Sequence, residues 1–504
     1  MLKTKLFIFL ICISLSQNHQ AQQRHSENLN RLDELLKDKK YTEAQAFANK
    51  NIAILQAKKS YYLLADYIYY KGRITYQFQK SSQATSATIE FAKTITSATD
   101  SLKVLRQVQF KLAAYYEFIG DSQKAYKANL VTKELTQKWK EATPEDFDNV
   151  ESNLAVLATR NGAIAKGIKH SKIALQYFES YPKTSKKNLY IIYNTLGGSM
   201  WYESKIDSAL YFYQKAEKTL KLMEVNPLNS YYRPAMLQNN LAGIYEIQGD
   251  LEKALAAIRK TINYLNLFLK SDAADDKKES AKEFLFMAIE NYAGFYKKMG
   301  DYVKAKELLE YSFKEKQKQY QADNPELYKA KILLGQIYLS LKEYTRAEAF
   351  LDDGITQIKR LNAGTNYWDA DAHYSKALLN DELGKTTIAK QYYDKSEQLY
   401  EEVLEGAYDE LYLDFVSKAS HFYAKHHEKD KALKMAQKAY AYIKENQGET
   451  TSFEIDQALN LGEIYFELGD YKAAIDKGLI SKELLAKTSK AQKKRVDSTT
   501  IILY

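Results

Sequence analysis

From Asn239 to Ile258 the chain reads NNLAGIYEIQGDLEKALAAI. Leu241, Ala242 and Tyr245 fall at helical spacing, Gly249–Asp250 interrupts, and Ala254, Leu255 and Ile258 resume it. The pattern predicts two short amphipathic helices joined by a turn. A glycine at the turn permits the left-handed backbone that ends a first helix. The same frame returns in LAAYYEFIGDSQKAYKANLVT from Leu112, LAVLATRNGAIAKGIKHSKIA from Leu154 and LGGSMWYESKIDSALYFYQKA from Leu196. It returns again in YAGFYKKMGDYVKAKELLEYS from Tyr292, LGQIYLSLKEYTRAEAFLDDG from Leu334 and LGEIYFELGDYKAAIDKGLIS from Leu461.

A small residue near the start of each second helix gives a ruler. It falls at Ala44, Ala84, Ala125, Gly167, Ala209, Ala254, Ala305, Ala347, Ala389, Ala432 and Ala474. Seven of the ten intervals are 41 to 43 residues; the others are 40, 45 and 51. A fixed period of this size marks a solenoid, because one helix pair cannot bury its apolar stripe alone and stacked neighbours complete the core. The positions from Ala125 to Ala474 are therefore expected to pack where the two helices of a pair cross. The unit at Ala44 shows no clear first helix. Those at Ala389 and Ala432 depart from the frame, with Asn380 at an aromatic position and His427 at the glycine position.

This pattern resembles the tetratricopeptide repeat. The period is longer than the usual one by about one helical turn per helix. Repeats of this kind look like those of kinesin light chains and of the arrays that precede caspase-like CHAT domains in exported bacterial proteins. The resemblance covers roughly residues 27 to 487 and implies an all-α, right-handed superhelix (an α-solenoid) of about eleven helix pairs. The 51-residue interval contains SDAADDKKE at 271–279, a polar stretch expected to be a loop, with a hinge as the alternative. The array would then run as one arm over 27–270 and a second over 280–487.

The first 21 residues read as a cleaved export signal. Lys3 and Lys5 precede the apolar run Leu6–Leu15, which is too short to span a bilayer, and cleavage is expected after Ser16 or Ala21. The signal implies an exported protein of the periplasm or extracellular space. The single cysteine, Cys12, lies inside it, so the mature chain would have no disulfide and no thiolate site. No 18-residue apolar run follows, so no transmembrane helix is expected. The net charge of +9 is interspersed along helices. The densest basic run, Lys482 to Arg495, has no interleaved aromatics, and nucleic acid is not an expected partner. The 42 tyrosines suit both half-buried helix packing and binding surfaces.

No motif of phosphate binding, nucleophilic catalysis or zinc hydrolysis is present. His426 and His427 fall in an expected turn, and His421 alone does not complete a metal site with them. No enzyme activity, cofactor or metal is expected of the chain as it stands. The candidate functional feature is a row of asparagines on first helices: Asn153, Asn194, Asn240, Asn291 and Asn460. The resemblance implies that first helices line a concave face on which such asparagines hold the main chain of an extended ligand. A carboxamide donates and accepts at once, so it can grip a peptide bond whatever the side chain. The expected function is a protein–protein interaction scaffold that binds a peptide or partner helix. The alternative is the regulatory half of a larger CHAT-type peptidase or membrane-bound signalling protein. The residues 488–504, a basic tail ending in the apolar run Ile501–Tyr504, read as the start of another element. The ligand and the oligomeric state stay open.

Overall fold

The structure, a computed structural model, describes residues 22–487 apart from 182–184, 204, 362–363, 365, 405, 407, 409 and 447–451. The expected signal and the tail 488–504 lie outside the described residues. Among these, the chain forms α-helices only, with one π-helical turn and no strand.

The helices run α1 (22–37), α2 (Tyr41–Ala57), α3 (Tyr61–Phe78), α4 (Ser81–Thr96), α5 (Leu102–Phe118), α6 (Ser122–Lys138), α7 (Pro144–Arg160) and α8 (Ile164–Ser180). They continue with α9 (Lys186–Tyr202), α10 (Ile206–Leu220), the π turn Leu228–Tyr232, α11 (Arg233–Ile247), α12 (Leu251–Lys270), α13 (Asp275–Lys298) and α14 (Tyr302–Gln319). The last eight are α15 (Pro325–Ser340), α16 (Tyr344–Arg360), α17 (Tyr367–Glu382), α18 (Thr386–Leu404), α19 (Glu410–Lys425), α20 (Lys429–Asn446), α21 (Ser452–Glu467) and α22 (Tyr471–Lys487). Odd-numbered helices are the first members of eleven pairs. The unit at Ala44 does have a first helix, α1, whose buried Leu32, Leu35 and Leu36 are followed by Lys39 in place of the turn glycine.

Nine of the turns within pairs are built the same way, whereas the α3–α4 turn runs through extended backbone at Gln79 and Lys80. Gly120, Gly162, Gly249, Gly300, Gly384 and Gly469 take φ of 69° to 83°. Lys39, Lys342 and His427 take the same left-handed backbone, at 57°, 59° and 67°, despite their Cβ atoms. The aspartate after four of these glycines caps the second helix, and after Gly469 it is Asp470, which accepts from the backbone N–H of Ala473 at 3.1 Å. Asp121, Asp250 and Asp301 accept from the backbone N–H of Lys124, Lys253 and Lys304, at 2.9, 3.1 and 3.2 Å. The lysine side chain and backbone N–H together hold the Asp121 and Asp301 carboxyls below their usual range.

The ruler positions are buried. Ala125, Ala209, Ala254, Ala305, Ala347, Ala389 and Ala432 have no exposed surface, Gly167 is buried, and Ala474 is nearly so. Within a pair the approach is close enough that a Cβ on Gly335 would stand 2.6 Å from Leu351 of α16.

The contacts divide the chain into two compact units. One comprises Met1–Ser199 with Gln214–Met223 and Ala274–Lys277; the other comprises Met200–Tyr213 with Glu224–Ala273 and Lys278–Tyr504. This division does not follow the expected arms 27–270 and 280–487. The stretch 271–279 is also less of a loop than its polarity implied. Helix α13 already begins at Asp275, and the surplus residues of the 51-residue interval lengthen α12 and α13 to 20 and 24 residues. In the first unit the core centres on Leu32, Tyr67, Ile68, Phe91 and Val108. In the second, Tyr393, Tyr400, Phe415, Phe422 and Tyr423 make an aromatic cluster at α17–α20. Much of the tyrosine excess is spent there, on packing. First helices of successive pairs also touch, as α3 does α5, α15 does α17 and α19 does α21.

Candidate functional site

Polar residues on first helices fall in two registers. One lies 17 to 19 residues before the ruler position and holds Asp66, Gln107 and Asp148 in the first unit. In the second unit the same register holds Asp371, Asp414 and Gln457, while Met236 and Met287 take it in α11 and α13. The expected asparagines form the other register, about one turn later on the same face.

In the first unit the earlier row is tightly bonded. Asp66 receives Gln107 Nε2 at 2.8 Å, Lys111 Nζ at 3.0 Å and His25 Nε2 at 2.8 Å. Burial alone would raise the Asp66 carboxyl, but these three partners hold it below the usual range. Asp148 accepts from Asn188 Nδ2 at 2.9 Å and Ser152 Oγ at 3.1 Å. Its burial outweighs those bonds and pushes the carboxyl upward. Beside them Glu151 binds His170 and Lys133 at 2.6 and 2.7 Å.

The second unit contains a groove of about 660 Å³ lined by first helices α11, α13, α15, α19 and α21 and by the first residues of second helices α12 and α14, Leu251 and Tyr302. Asp414, Asp456 and Glu463 bring negative charge on α19 and α21, and Lys297 and Lys298 bring positive charge on α13. Lys298 pairs with Glu246 at 2.5 Å. Gln336 donates to Asp371 at 2.7 Å, and the Tyr374 hydroxyl donates to Asp414 at 2.8 Å, so neighbouring first helices are tied together. His421 of α19 reaches Glu463 and Glu467 of α21 at 3.1 and 2.9 Å. The bond to Glu463 raises the His421 pKa against the opposing effect of burial, and Glu467 adds to the rise.

Asn460 lines this groove with only 2% of its surface exposed. Its Oδ1 accepts from Ser417 and Ser420 at 3.3 and 3.4 Å, and its Nδ2 is buried without a hydrogen-bond partner. Gln457, one turn earlier and 4% exposed, donates weakly from Nε2 to the Leu413 carbonyl at 3.5 Å. Its Oε1 is buried and unpartnered. One orphaned donor and one orphaned acceptor thus sit a turn apart in the same groove wall. A buried amide group left unpaired costs about 1–3 kcal/mol, which a ligand's own amide would recover.

The other expected asparagines do not join it. Asn291 is exposed and donates to Asn239 at 3.3 Å. Asn240 is half-buried and is not in the groove lining. Asn153 and Asn194 are half-buried in the first unit. Gln457 was missed by looking for asparagine alone; the ruler applied to every polar first-helix residue would have found it. Among the described residues no cluster of His, Cys, Asp and Glu could hold a metal ion, and no helix is long and apolar enough to cross a membrane.

Residues 328–357, 370–403 and 458–476 match the tetratricopeptide-repeat family model. Comparison by sequence with curated proteins gives no match. Among solved structures, the apo form of the quorum sensor NprR from B. thuringiensis aligns with a TM-score of 0.52 at 16% identity, over 74% of this chain and 98% of that one. The apo form of RapI aligns with a TM-score of 0.49 at 13% identity, over 76% and 98%. A putative kinesin light chain from Podosopora anserina aligns at 0.34 and 14% identity, over 41% and 97%. The α-solenoid fold rests on the repeat match and the first of these structures. The expected likeness to CHAT-domain arrays is not shown by them.

Proposed function

We propose that this chain, an α-solenoid of tetratricopeptide repeats, is a non-catalytic interaction scaffold that holds an extended peptide in the groove of its second unit. The observation that carries the reading is the pair of orphaned amide groups, Asn460 Nδ2 and Gln457 Oε1, in one groove wall. A peptide main chain offers a carbonyl to the first and an N–H to the second, without regard to side chain. The acidic side chains of α19 and α21 favour a segment carrying positive charge there, and Lys297 favours an acidic residue at the α13 side. The preformed helical walls spare the scaffold the cost of ordering itself on binding.

The test uses peptides selected on the wild-type chain from a random phage-displayed library. Their affinities are measured by calorimetry against Asn460→Ala and Gln457→Ala. Each substitution is expected to weaken binding about tenfold with the melting temperature kept, the loss of one amide contact to a buried partner. Equal affinity for all three chains would remove the groove reading. The place of action is proposed to be outside the cytoplasm, on the strength of Lys3, Lys5 and the run Leu6–Leu15. The intact mass of the protein from its own cells tests this, since a chain retaining Met1 would contradict it.

A further inference from the structure

A glycine inside a helix is less stable there than an alanine, so its place calls for a close neighbour or some other reason. In α3, α8 and α15 the reason is packing. A Cβ on Gly72, Gly167 or Gly335 would stand 2.1 to 2.6 Å from Tyr115, Thr159 or Leu351 of a neighbouring helix. Gly294, inside α13, has no such neighbour. Among the described residues nothing lies within 4 Å of where its Cβ would be, and it lines the groove of the second unit.

Gly294 stands eleven residues before its ruler position, Ala305. At the same step the second unit carries Gly243 in α11, Gln336 in α15, Leu378 in α17, His421 in α19 and Glu463 in α21. Four of these bring a side chain of their own. Gly243 does not, and there the Trp201 ring of α9 lies against the helix, so close that a Cβ on Gly243 would meet its Cη2 at 2.5 Å. Trp201 is eight residues before Ala209, and the residue eight before Ala254 is Glu246. Glu246 pairs with Lys298 at 2.5 Å, and Gly294 is left uncovered. One position of the row thus takes an aromatic ring on bare helix, and the next offers the same bare helix with no ring on it.

We infer that Gly294 receives an aromatic side chain of the peptide held in this groove, ring against helix as Trp201 lies on Gly243, and is a specificity-determining position. The inference rests on the groove reading proposed above. Leu251, Tyr302 and Leu333 supply apolar surface in the same groove. An aromatic ring buries a large apolar area while fixing only two torsions, which favours it over a long aliphatic chain. Gln457 and Asn460 then hold the main chain whatever its sequence, and the ring on Gly294 selects among sequences.

Gly294→Ala in the full chain separates binding from folding. Its melting temperature is expected to rise, because alanine is the better helix former and its Cβ meets nothing in the free chain. Calorimetry with the phage-selected peptides is expected to show binding weakened about tenfold, because the same Cβ stands where the ring would lie. A selected peptide whose aromatic residue is replaced by alanine should bind the wild-type chain about tenfold more weakly and lose little more on Gly294→Ala. Unchanged affinity for Gly294→Ala beside a loss for Gln457→Ala would overturn this inference and leave the groove reading in place. Unchanged affinity for Gly294→Ala, Gln457→Ala and Asn460→Ala alike would overturn both. Selected peptides that share no aromatic residue would also overturn it.

Discussion

The first-helix row of the first unit and its α21 member in the second unit share a register and differ in how they are closed. Asp66 is surrounded by His25, Gln107 and Lys111, drawn from α1 and α5. Gln457 and Asn460 sit at matching steps of α21 with one amide atom each left unpaired. One position in a repeat thus serves as internal fastening where neighbours supply the complementary charge, and as an open contact point where they do not. A repeat position has no function of its own; its partners give it one.

The largest expected effect breaks the closed end of this comparison. Asp66→Ala leaves Lys111 and His25 without their acceptor, and urea denaturation should show a loss of about 3–5 kcal/mol. A loss below about 1 kcal/mol would mean that the first-unit row is no fastening. Turns give a second contrast, between Gly384 and His427 in successive pairs. His427→Gly should gain up to about 1 kcal/mol by relieving the left-handed strain on a residue with a Cβ; an unchanged midpoint would show that the strain is compensated locally.

The bond between α19 and α21 sharpens the comparison through pH. The His421 pKa is raised in the folded chain. The stability it contributes is therefore fully present below the unfolded value of about 6.5 and is lost as pH rises through the folded value. The difference in melting temperature between wild type and His421→Gln should shrink from pH 6 to pH 9, and a constant difference would refute the link. The smallest effect is at the open end. Gln457→Met keeps the side-chain length, removes an unpaired buried oxygen and loses only a long bond to Leu413, so stability should stay within about 0.5 kcal/mol of wild type. A loss comparable to that of Asp66→Ala would mean the two rows are alike after all.

Helix pairs and turns were legible because each repeat restates the same constraints. Gly249, Asp250 and Ala254 each answer a local steric or capping need, and the ruler carries that frame to units with no glycine, such as those of Lys342 and His427. The first helix of the Ala44 unit was obscured because Lys39 replaces glycine and because α1 opens in a polar, charged stretch. Residues 271–279 misled because polarity was read as a break, whereas a solvent-facing helix end is polar for the same reason. The candidate site was half visible. Asn460 stood in the asparagine row, but its difference from Asn291 depends on burial by Ser417 and Ser420 some forty residues away, which no local pattern contains.

The π turn at Leu228–Tyr232 bears on how such a chain tolerates insertion and deletion over evolutionary time. It lies in the 45-residue interval, packs against α11 and α12, and runs directly into Arg233 of α11. An added codon stored as a helical bulge leaves both ends of the interval in phase, because the widened turn takes up one residue without opening a loop. The frame that joins Ala209 to Ala254 is in this sense elastic.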